Sequence, residues 1–370
     1  MSNKYEDELG LIVMNNCKEL GKKINADIVQ KRQSKESYII PVDEIRFSNG
    51  EGKVMINETV RDKDLYILSD VGNHSETYKM YGYYNHKSPD DHFQDIKRVI
   101  SAVRGQAERM TVVMPLLYES RQHRRKGRES LDCALALQEL QSLGVKTVVT
   151  FDVHDPNIQN SVPTSMSFEN FYPTNTILKQ FIKNENFDPS DVIFISPDTG
   201  AMDRARYYAN MFQADVGLFH KRRDLSKIVN GKNPIVAHEY LGRNLNGKTA
   251  IVVDDMIASG GSMLDVANDL KERGAKKVFL IATFSMFTNG LEQFDEAYNK
   301  GLFDSLYTTN LTYIDPEAKK MSWYKQVDCS EYTSDIIDTL NKSGSISELK
   351  NGKQKILNML DKKKRGELIF

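Results

Sequence analysis

The stretch AIVVDDMIASGGSMLDVANDL, Ala250 to Leu270, decides the reading of this chain. It opens as an apolar, β-branched run, passes two adjacent carboxylates, turns through Ser-Gly-Gly-Ser and enters a helical pattern. Ile251 to Val253 read as a strand buried on both faces, as in a parallel sheet. Asp254 and Asp255 fall at its carboxyl end, where open α/β sheets gather their ligands. Gly260 and Gly261 carry no Cβ, so backbone N–H groups there can close on a phosphate. Ser259 and Ser262 add hydroxyl donors, and the following helix presents its positive end to an anion. The carboxylates repel phosphate but suit ribose hydroxyls or a water-held magnesium ion. A phosphorylated sugar satisfies all of these groups at once.

Outward from this stretch, strand-like runs alternate with helical ones. The strand-like runs are residues 65–71, 110–117, 146–154, 191–198, 248–255 and 276–284. Leu131 to Leu143 and Met202 to Met211 are helical stretches between them. Such alternation predicts parallel sheets flanked by helices. The pattern comes in two batches, before and after about Pro173, and 370 residues suit two domains. The fold class expected is therefore α/β, with two similar domains, each a mainly parallel sheet flanked by helices. Residues 73–92 are polar, tyrosine-rich and aperiodic, which reads as a surface loop. From about Ser345 the chain reads as a short basic amphipathic helix with a solvated charged face.

Composition removes several classes of function. Hydrophobic residues at 40% and charged residues at 27% are ordinary for a globular protein. A net charge of −1 gives no global pull toward nucleic acid or an anionic membrane, so neither is an expected partner. No apolar run is long enough to span a bilayer. The opening MSNKYEDELG is acidic, unlike a signal peptide. Cys17, Cys133 and Cys329 are scattered and odd in number, which suits a reducing cytoplasm and offers no metal-site spacing.

Four further segments carry chemistry. FDVHDPNIQN (151–160) ends a strand with His154 between Asp152 and Asp155, a residue able to hold a metal or steer a phosphate. ISPDTGAMDRAR (195–206) repeats the strand-turn-helix grammar: Asp198, Thr199, Gly200 and Ala201 precede a helix with Arg204 and Arg206. Free N–H groups in that turn are expected to form a second anion site. YESRQHRRKGRES (118–130) concentrates Arg121, Arg124, Arg125, Lys126 and Arg128, which repel one another unless anions bind them. GLFHKRRDLSK (217–227) sets Lys221, Arg222 and Arg223 just after a strand expected to end near His220. Mobile cations there suit a transferring phosphoryl group.

Residues 251–262 resemble the phosphoribosyl-diphosphate signature of the type I phosphoribosyltransferases and their relatives. With the other segments, the chain resembles the ribose-phosphate diphosphokinases, or phosphoribosyl-diphosphate synthetases, over about residues 10 to 345. The resemblance implies two phosphoribosyltransferase-like domains: 10–172 on the nucleotide side and 173–345 on the ribose 5-phosphate side, with 346–370 a helical tail. It implies Mg2+-dependent transfer of a diphosphoryl group from ATP to ribose 5-phosphate in the cytoplasm, by a homo-oligomer that is dimer-based or hexameric. Phe47, Asn49 and Glu51 match positions that receive ATP from a neighbouring subunit. Arg121 and Gln122 match an Arg-Gln pair on ATP. His154 and Asp198 match residues linked to magnesium and the reacting phosphates, with Thr199 and Gly200 in the diphosphate turn. Lys221 and Arg223 match the flexible catalytic loop. Asp254, Asp255, Ser259, Gly260, Gly261 and Ser262 match the ribose 5-phosphate loop.

The chain departs from the family pattern at several places. His123 stands where an acidic residue is usual, Ala201 replaces a second glycine and Ala258 replaces a common aspartate. The loop after Arg121 is one residue short, and residues 73–92 look like an insertion. Two alternatives stay open at this level. One is a phosphoribosyltransferase that consumes phosphoribosyl diphosphate, which 251–262 alone allows. The other is a catalytically weak regulatory homologue, which Ala258 and the altered arginine loop allow.

Overall fold

The structure, a computed structural model, describes residues 8–125, 127–223, 235–350 and 352–367, with only the backbone path for 221–223, 235–238 and 350. In chain order the first elements are β1 (Leu9–Val13), α1 (Lys18–Arg32), β2 (Val42–Arg46), β3 (Gly52–Ile56), β4 (Asp64–Leu68), β5 (Thr77–Met80) and β6 (Tyr83–His86). Then come α2 (Pro89–Val103), β7 (Arg109–Val113), α3 (Asp132–Ser142), β8 (Thr147–Phe151), β9 (Ser167–Phe171) and α4 (Thr174–Asn184). β10 (Val192–Ser196), α5 (Met202–Phe212), β11 (Asp215–Arg223), β12 (Ile235–Leu241), β13 (Thr249–Ile257) and α6 (Gly261–Glu272) follow. The chain closes with β14 (Lys277–Ser285), α7 (Glu292–Asn299), β15 (Ser305–Thr309), β16 (Tyr324–Val327), α8 (Ser330–Asn341), α9 (Ser347–Lys350) and α10 (Lys353–Lys364). Among the described residues no helix is long and apolar enough to cross a membrane.

The chain forms two compact units. The first runs through Pro173 and adds Asn310–Tyr313 and Asp328–Asn351; the second holds Thr174–Thr309, Ile314–Val327 and the chain from Gly352. These units are discontinuous in sequence. The reason is packing. α8 buries Ile336 and Ile337 and lies on α1, where Arg32 pairs with Asp338 at 2.6 Å. Its last residue, Asn341, donates to the fully buried Asp64 at 2.8 Å, which Arg109 also neutralises. Removing α8 would take one hydrogen bond from a buried carboxylate, a costly loss. The tail is likewise more than a solvated helix: α10 buries Ile356 and Leu360 against α4 and α5 of the second unit.

The first unit holds a five-stranded sheet in the order β1-β4-β7-β8-β9, every pair parallel. β4 is buried along its whole length, as the apolar run after Asp64 demands. α2 packs Phe93, Ile96, Val99, Ile100 and Val103 into the core. Residues 73–92 are not a loop. They form an antiparallel hairpin, β5–β6, and the start of α2. The two central residues, Tyr81 and Gly82, both have positive φ, 48° and 85°. That pattern makes a tight hairpin turn without an Asn-Gly signal. Ser88 and Asp91 form a reciprocal capping box at the head of α2.

The second unit holds a seven-stranded sheet in the order β12-β11-β10-β13-β14-β15-β16, in which β12 alone pairs antiparallel among the described residues. The chain builds outward from β10 to β11 and β12, then returns to place β13 on the other side of β10. Strand order therefore reverses between β10 and β13. Open α/β sheets hold ligands at such a reversal, beyond the carboxyl ends of the strands. α6 covers the β13–β14 region with Met263, Val266, Ala267 and Leu270, spaced for one helical face.

Candidate functional site

The turn between β13 and α6 sits at this reversal. β13 runs two residues beyond the carboxylates, to Ile257, so Asp254 and Asp255 lie within the strand rather than after it. Successive residues of a strand point to opposite faces. Asp255 is buried, whereas Asp254 is half-buried. Beyond Ile257 the turn is held from outside by its carbonyls. Thr288 N–H donates to Ala258 O at 2.9 Å, and the Gln293 side-chain amide donates to Ser259 O. Gly260 adopts φ +91°, and a Cβ there would overlap the Phe294 ring. Gly260 is thus a glycine the fold requires. Gly261 differs: a Cβ there would meet nothing within 4 Å. The N–H groups of Ser259, Gly260, Gly261 and Ser262 donate to no acceptor among the described residues. Carbonyls tied back, N–H groups unclaimed and open space in front make a ready anion site at a helix N-terminus.

The carboxylates behind this turn are electrostatically loaded. Burial first, and then the adjacent Asp255, push the Asp254 carboxyl well above the ordinary carboxylate range; Asp198 adds to the rise. Arg204, on the first turn of α5, works against it. Its guanidinium stands 3.8 Å from both Asp254 and Asp255. Arg204 is legible in the sequence as a helical arginine after Asp198 but not as the counter-charge to this pair. Only the sheet order, which sets β10 beside β13, brings it there.

The turn after β10 looks similar in sequence and is wired differently. Gly200 N–H and Ala201 N–H both donate to Asp198 Oδ1, at 2.8 and 3.2 Å. Ser196 Oγ donates to the Asp198 carbonyl at 2.6 Å. The free N–H groups expected at Gly200 and Ala201 are therefore occupied by Asp198 itself. An aspartate in a turn folds back onto the backbone N–H two residues ahead. Thr199 and Gly200 are exposed, and Ala201 is buried.

In the first unit, residues 47–51 form the tight loop joining β2 to β3. Phe47 N–H donates to Glu51 O at 2.7 Å, and Asn49 donates to the Glu51 carboxylate at 2.9 Å. Phe47 remains exposed. The loop is anchored by Arg46, which meets Asp95 at 2.9 Å and stacks on the Tyr78 ring. After β7, Arg121, Arg124, Arg125 and Arg128 are exposed and pair with no carboxylate among the described residues. Gln122 turns inward and donates to Ser130 O at 2.8 Å, closing that loop. His154 is exposed after β8. His123, nearly buried, sets one ring nitrogen 3.0 Å from Asp155 and the other 3.2 Å from Ser120 O, with its ring 5.5 Å from that of His154. His123 thus ties the arginine segment to the loop bearing His154, a link not apparent from the sequence.

Lys221 and Arg223 lie at the end of β11, which runs through Arg223 instead of ending near His220. Lys221 is registered against His238 and Arg223 against Ile235 of β12. Pairing with β12 extends the strand. The rest of the stretch expected to be a mobile loop, 220–233, lies outside the described residues from 224 onward.

Known proteins share both the sequence and the fold. The family model for the N-terminal domain of ribose phosphate pyrophosphokinase matches residues 9–144, and that for the phosphoribosyl transferase domain matches residues 174–317. A ribose-phosphate pyrophosphokinase of Bacillus subtilis is 28% identical over 352 residues, covering 94% of this chain and 99% of its own. That of Oceanobacillus iheyensis is 30% identical over 280 residues, covering 73% of this chain and 80% of its own. In fold, phosphoribosylpyrophosphate synthetase from Mycobacterium smegmatis superposes with a TM-score of 0.73 at 22% identity, over 91% of this chain and all of the other. Both sheets, the glycine turn after β13, two successive family matches and the curated relatives agree: the chain belongs to the ribose-phosphate pyrophosphokinase family.

Proposed function

We propose that this chain transfers the diphosphoryl group of ATP to the 1-hydroxyl of ribose 5-phosphate, giving phosphoribosyl diphosphate and AMP. The observation that carries the reading is the turn 258–262: unclaimed N–H groups and open space at a helix N-terminus, with a strained carboxylate pair just behind. In this reading Ser259 to Ser262 hold the 5-phosphate. Asp254 and Asp255 accept hydrogen bonds from the ribose hydroxyls. Those donors favour the ionised carboxylates, against the burial and the Asp255 charge that raise Asp254. The bond formed joins the sugar's 1-oxygen to the β-phosphorus of ATP. The bond broken joins that phosphorus to the bridging oxygen that leaves with AMP. Such a step needs alignment and charge neutralisation more than covalent help from the protein.

On the nucleotide side, Arg121 and its neighbouring arginines suit the polyphosphate, and Phe47, Asn49 and Glu51 suit the nucleoside of a neighbouring copy. Gln122 supports the loop carrying Arg121. Lys221 and Arg223 supply positive charge to the transferring group. For magnesium, among the described residues no three His, Cys, Asp or Glu gather into a cage. Magnesium rarely needs one; it is held by one or two carboxylates, water and substrate phosphates. Asp198 fits this role, because backbone N–H groups occupy only one of its carboxylate oxygens. His154, exposed beside the arginine segment, is the second candidate. When bound, the ion would neutralise phosphate charge during transfer. A cytoplasmic homo-oligomer remains the expected form.

The test is AMP release by the purified chain with ATP and magnesium, with and without ribose 5-phosphate. Release that requires the sugar is expected. Release of no AMP under any tested magnesium concentration would falsify the reading and favour a regulatory role.

A further inference from the structure

We propose that Gln293, outside every segment singled out in the sequence, is a positioning residue for sugar-phosphate binding: its side chain aims a peptide N–H of the turn after β13 at the phosphate. This rests on the reading above, in which Ser259 to Ser262 hold the 5-phosphate.

The turn is unable to aim itself. In a trans peptide the C=O and the next N–H point in opposite directions, so a carbonyl fixed on one side commits an N–H to the other. The Ser259–Gly260 peptide can rotate by changing the φ of its glycine, and glycine tolerates either sign. Were this peptide reversed, the Ser259 carbonyl would face the anion in place of the Gly260 N–H. A donor would become a repelling acceptor. The freedom that lets Gly260 reach φ +91° therefore has to be removed by something outside the turn.

Three successive carbonyls show how. Met286 N–H donates to Ile257 O at 2.8 Å, and Thr288 N–H donates to Ala258 O at 2.9 Å. Both donors are main chain, and they extend the parallel pairing of β13 with β14. The main chain then leaves. Phe287 has φ +46°, and Gly290 N–H turns back to Phe287 O at 2.8 Å. For the third carbonyl, Ser259 O, the donor is the Gln293 side-chain amide. A side chain thus continues the ladder where the backbone can no longer reach.

Gln293 works from a fixed base. It is half-buried on the first turn of α7, next to Phe294. The Phe294 ring is fully buried, stacks on Trp323 with centroids 5.6 Å apart and meets Phe287 edge-on at 5.1 Å. The same ring leaves no room for a Cβ at Gly260. One aromatic anchor therefore sets both the start of α7 and the path of the turn, and the amide joins them. An N–H aimed in advance needs no reordering when the phosphate arrives.

The test is calorimetric binding of ribose 5-phosphate without ATP, beside steady-state AMP release, for the full wild-type chain, Gln293→Met and Gln293→Lys. Methionine keeps the shape and the helix but donates nothing. Gln293→Met is expected to bind ribose 5-phosphate about fivefold or more weakly, with kcat and the KM for ATP within about twofold of wild type. Lysine returns a donor, so Gln293→Lys should recover most of the loss. It should do so in about 1 M salt as well, where screening removes any direct pull of its charge on the phosphate. A Gln293→Met chain that binds ribose 5-phosphate like wild type overturns the proposal, whatever its melting temperature. Losses spread equally over ATP and the sugar phosphate overturn it too, since they mark a general loosening. Recovery by lysine in low salt alone does the same. Weakened sugar-phosphate binding in Gln293→Met, with no form releasing AMP, supports the proposal and sinks the transfer reading alone. Normal sugar-phosphate binding in both Gln293→Met and Gly261→Ala would move the phosphate away from this turn and overturn both.

Discussion

Two turns of the second unit, after β10 and after β13, share the same grammar of strand, small-residue turn and helix, yet they are opposite in electrostatics. After β13 the carboxylates stay back in the strand, so the helix N-terminus is left open. After β10 the carboxylate lies in the turn, and Asp198 takes the N–H groups that would otherwise face a ligand. The difference is one of register. A carboxylate two or three residues before a turn's N–H groups can fold back onto them; one four or more residues earlier stays back in the strand. An open helix end binds phosphate through the backbone. A turn whose N–H groups are taken by its own carboxylate offers negative charge, and so suits a cation or a cation-bound phosphate. In the second case, positive side chains must supply what backbone N–H groups supply in the first.

Substitutions can challenge that contrast at several points. The largest effect is expected from Lys221→Ala and Arg223→Ala, on the strand beside β10. If side-chain cations replace backbone donors at the capped turn, each should lower kcat by about 10²-fold or more, with melting temperature near that of wild type. Steady-state kinetics with both substrates saturating decides it; kcat within about twofold of wild type in both variants would leave the capped turn without its complement.

Asp198 separates cap from charge. Asp198→Asn retains an acceptor for Gly200 and Ala201, so stability should hold while kcat falls by about 10²-fold. Asp198→Ala should lose the same turnover and, in addition, about 1 kcal/mol of stability with the turn's two hydrogen bonds. An Asn variant with unchanged kcat would reduce Asp198 to a structural cap.

Asp254→Asn tests the burial and the neighbouring charge that raise this carboxyl. The folded-state pKa of Asp254 is raised, so its favourable contribution exists at low pH and is lost as pH rises through that raised value. The Asn variant should therefore melt higher than wild type near pH 8, lose that advantage by about pH 4, and bind ribose 5-phosphate about tenfold or more weakly. Equal melting curves at high pH would show that Arg204 already balances the pair.

The smallest change of sequence divides the adjacent glycines. Gly260→Ala must strain a positive φ and displace Phe294, for a loss of about 2–4 kcal/mol. Gly261→Ala has room, so stability should change by less than about 0.5 kcal/mol, yet the methyl enters the space proposed for the phosphate. Its expected signature is a raised KM for ribose 5-phosphate with little change in the KM for ATP. Thermal melts beside sugar-phosphate titrations distinguish the two, and a destabilised Gly261→Ala would contradict the open space before α6.

Much of the second unit's site is legible in the amino-acid sequence, because its signals are local. β-branched runs such as 251–253 specify buried strands, and the spacing of Asp254, Ser259, Gly260 and Gly261 follows from one continuous segment. The hairpin at 77–86 is not legible, since its turn places Tyr81 at positive φ and carries none of the usual Asn-Gly chemistry. The extra length of β11 is hidden for another reason: its last residues are polar and paired with β12, and such pairing leaves no apolar trace. The partition of the chain is equally obscure, because Asn341 reaches Asp64 across 277 residues of sequence.

Fold class, the alternation of strands and helices, and the chemistry of the turn after β13 are written in the sequence, because propensity, periodicity and turn residues act over a few neighbours. Which turn stays open and which is capped, and which arginine faces the carboxylate pair, are settled only by tertiary structure. Those outcomes depend on strand order, on buried charges that must find distant partners, and on backbone donors whose satisfaction is decided when the chain has folded.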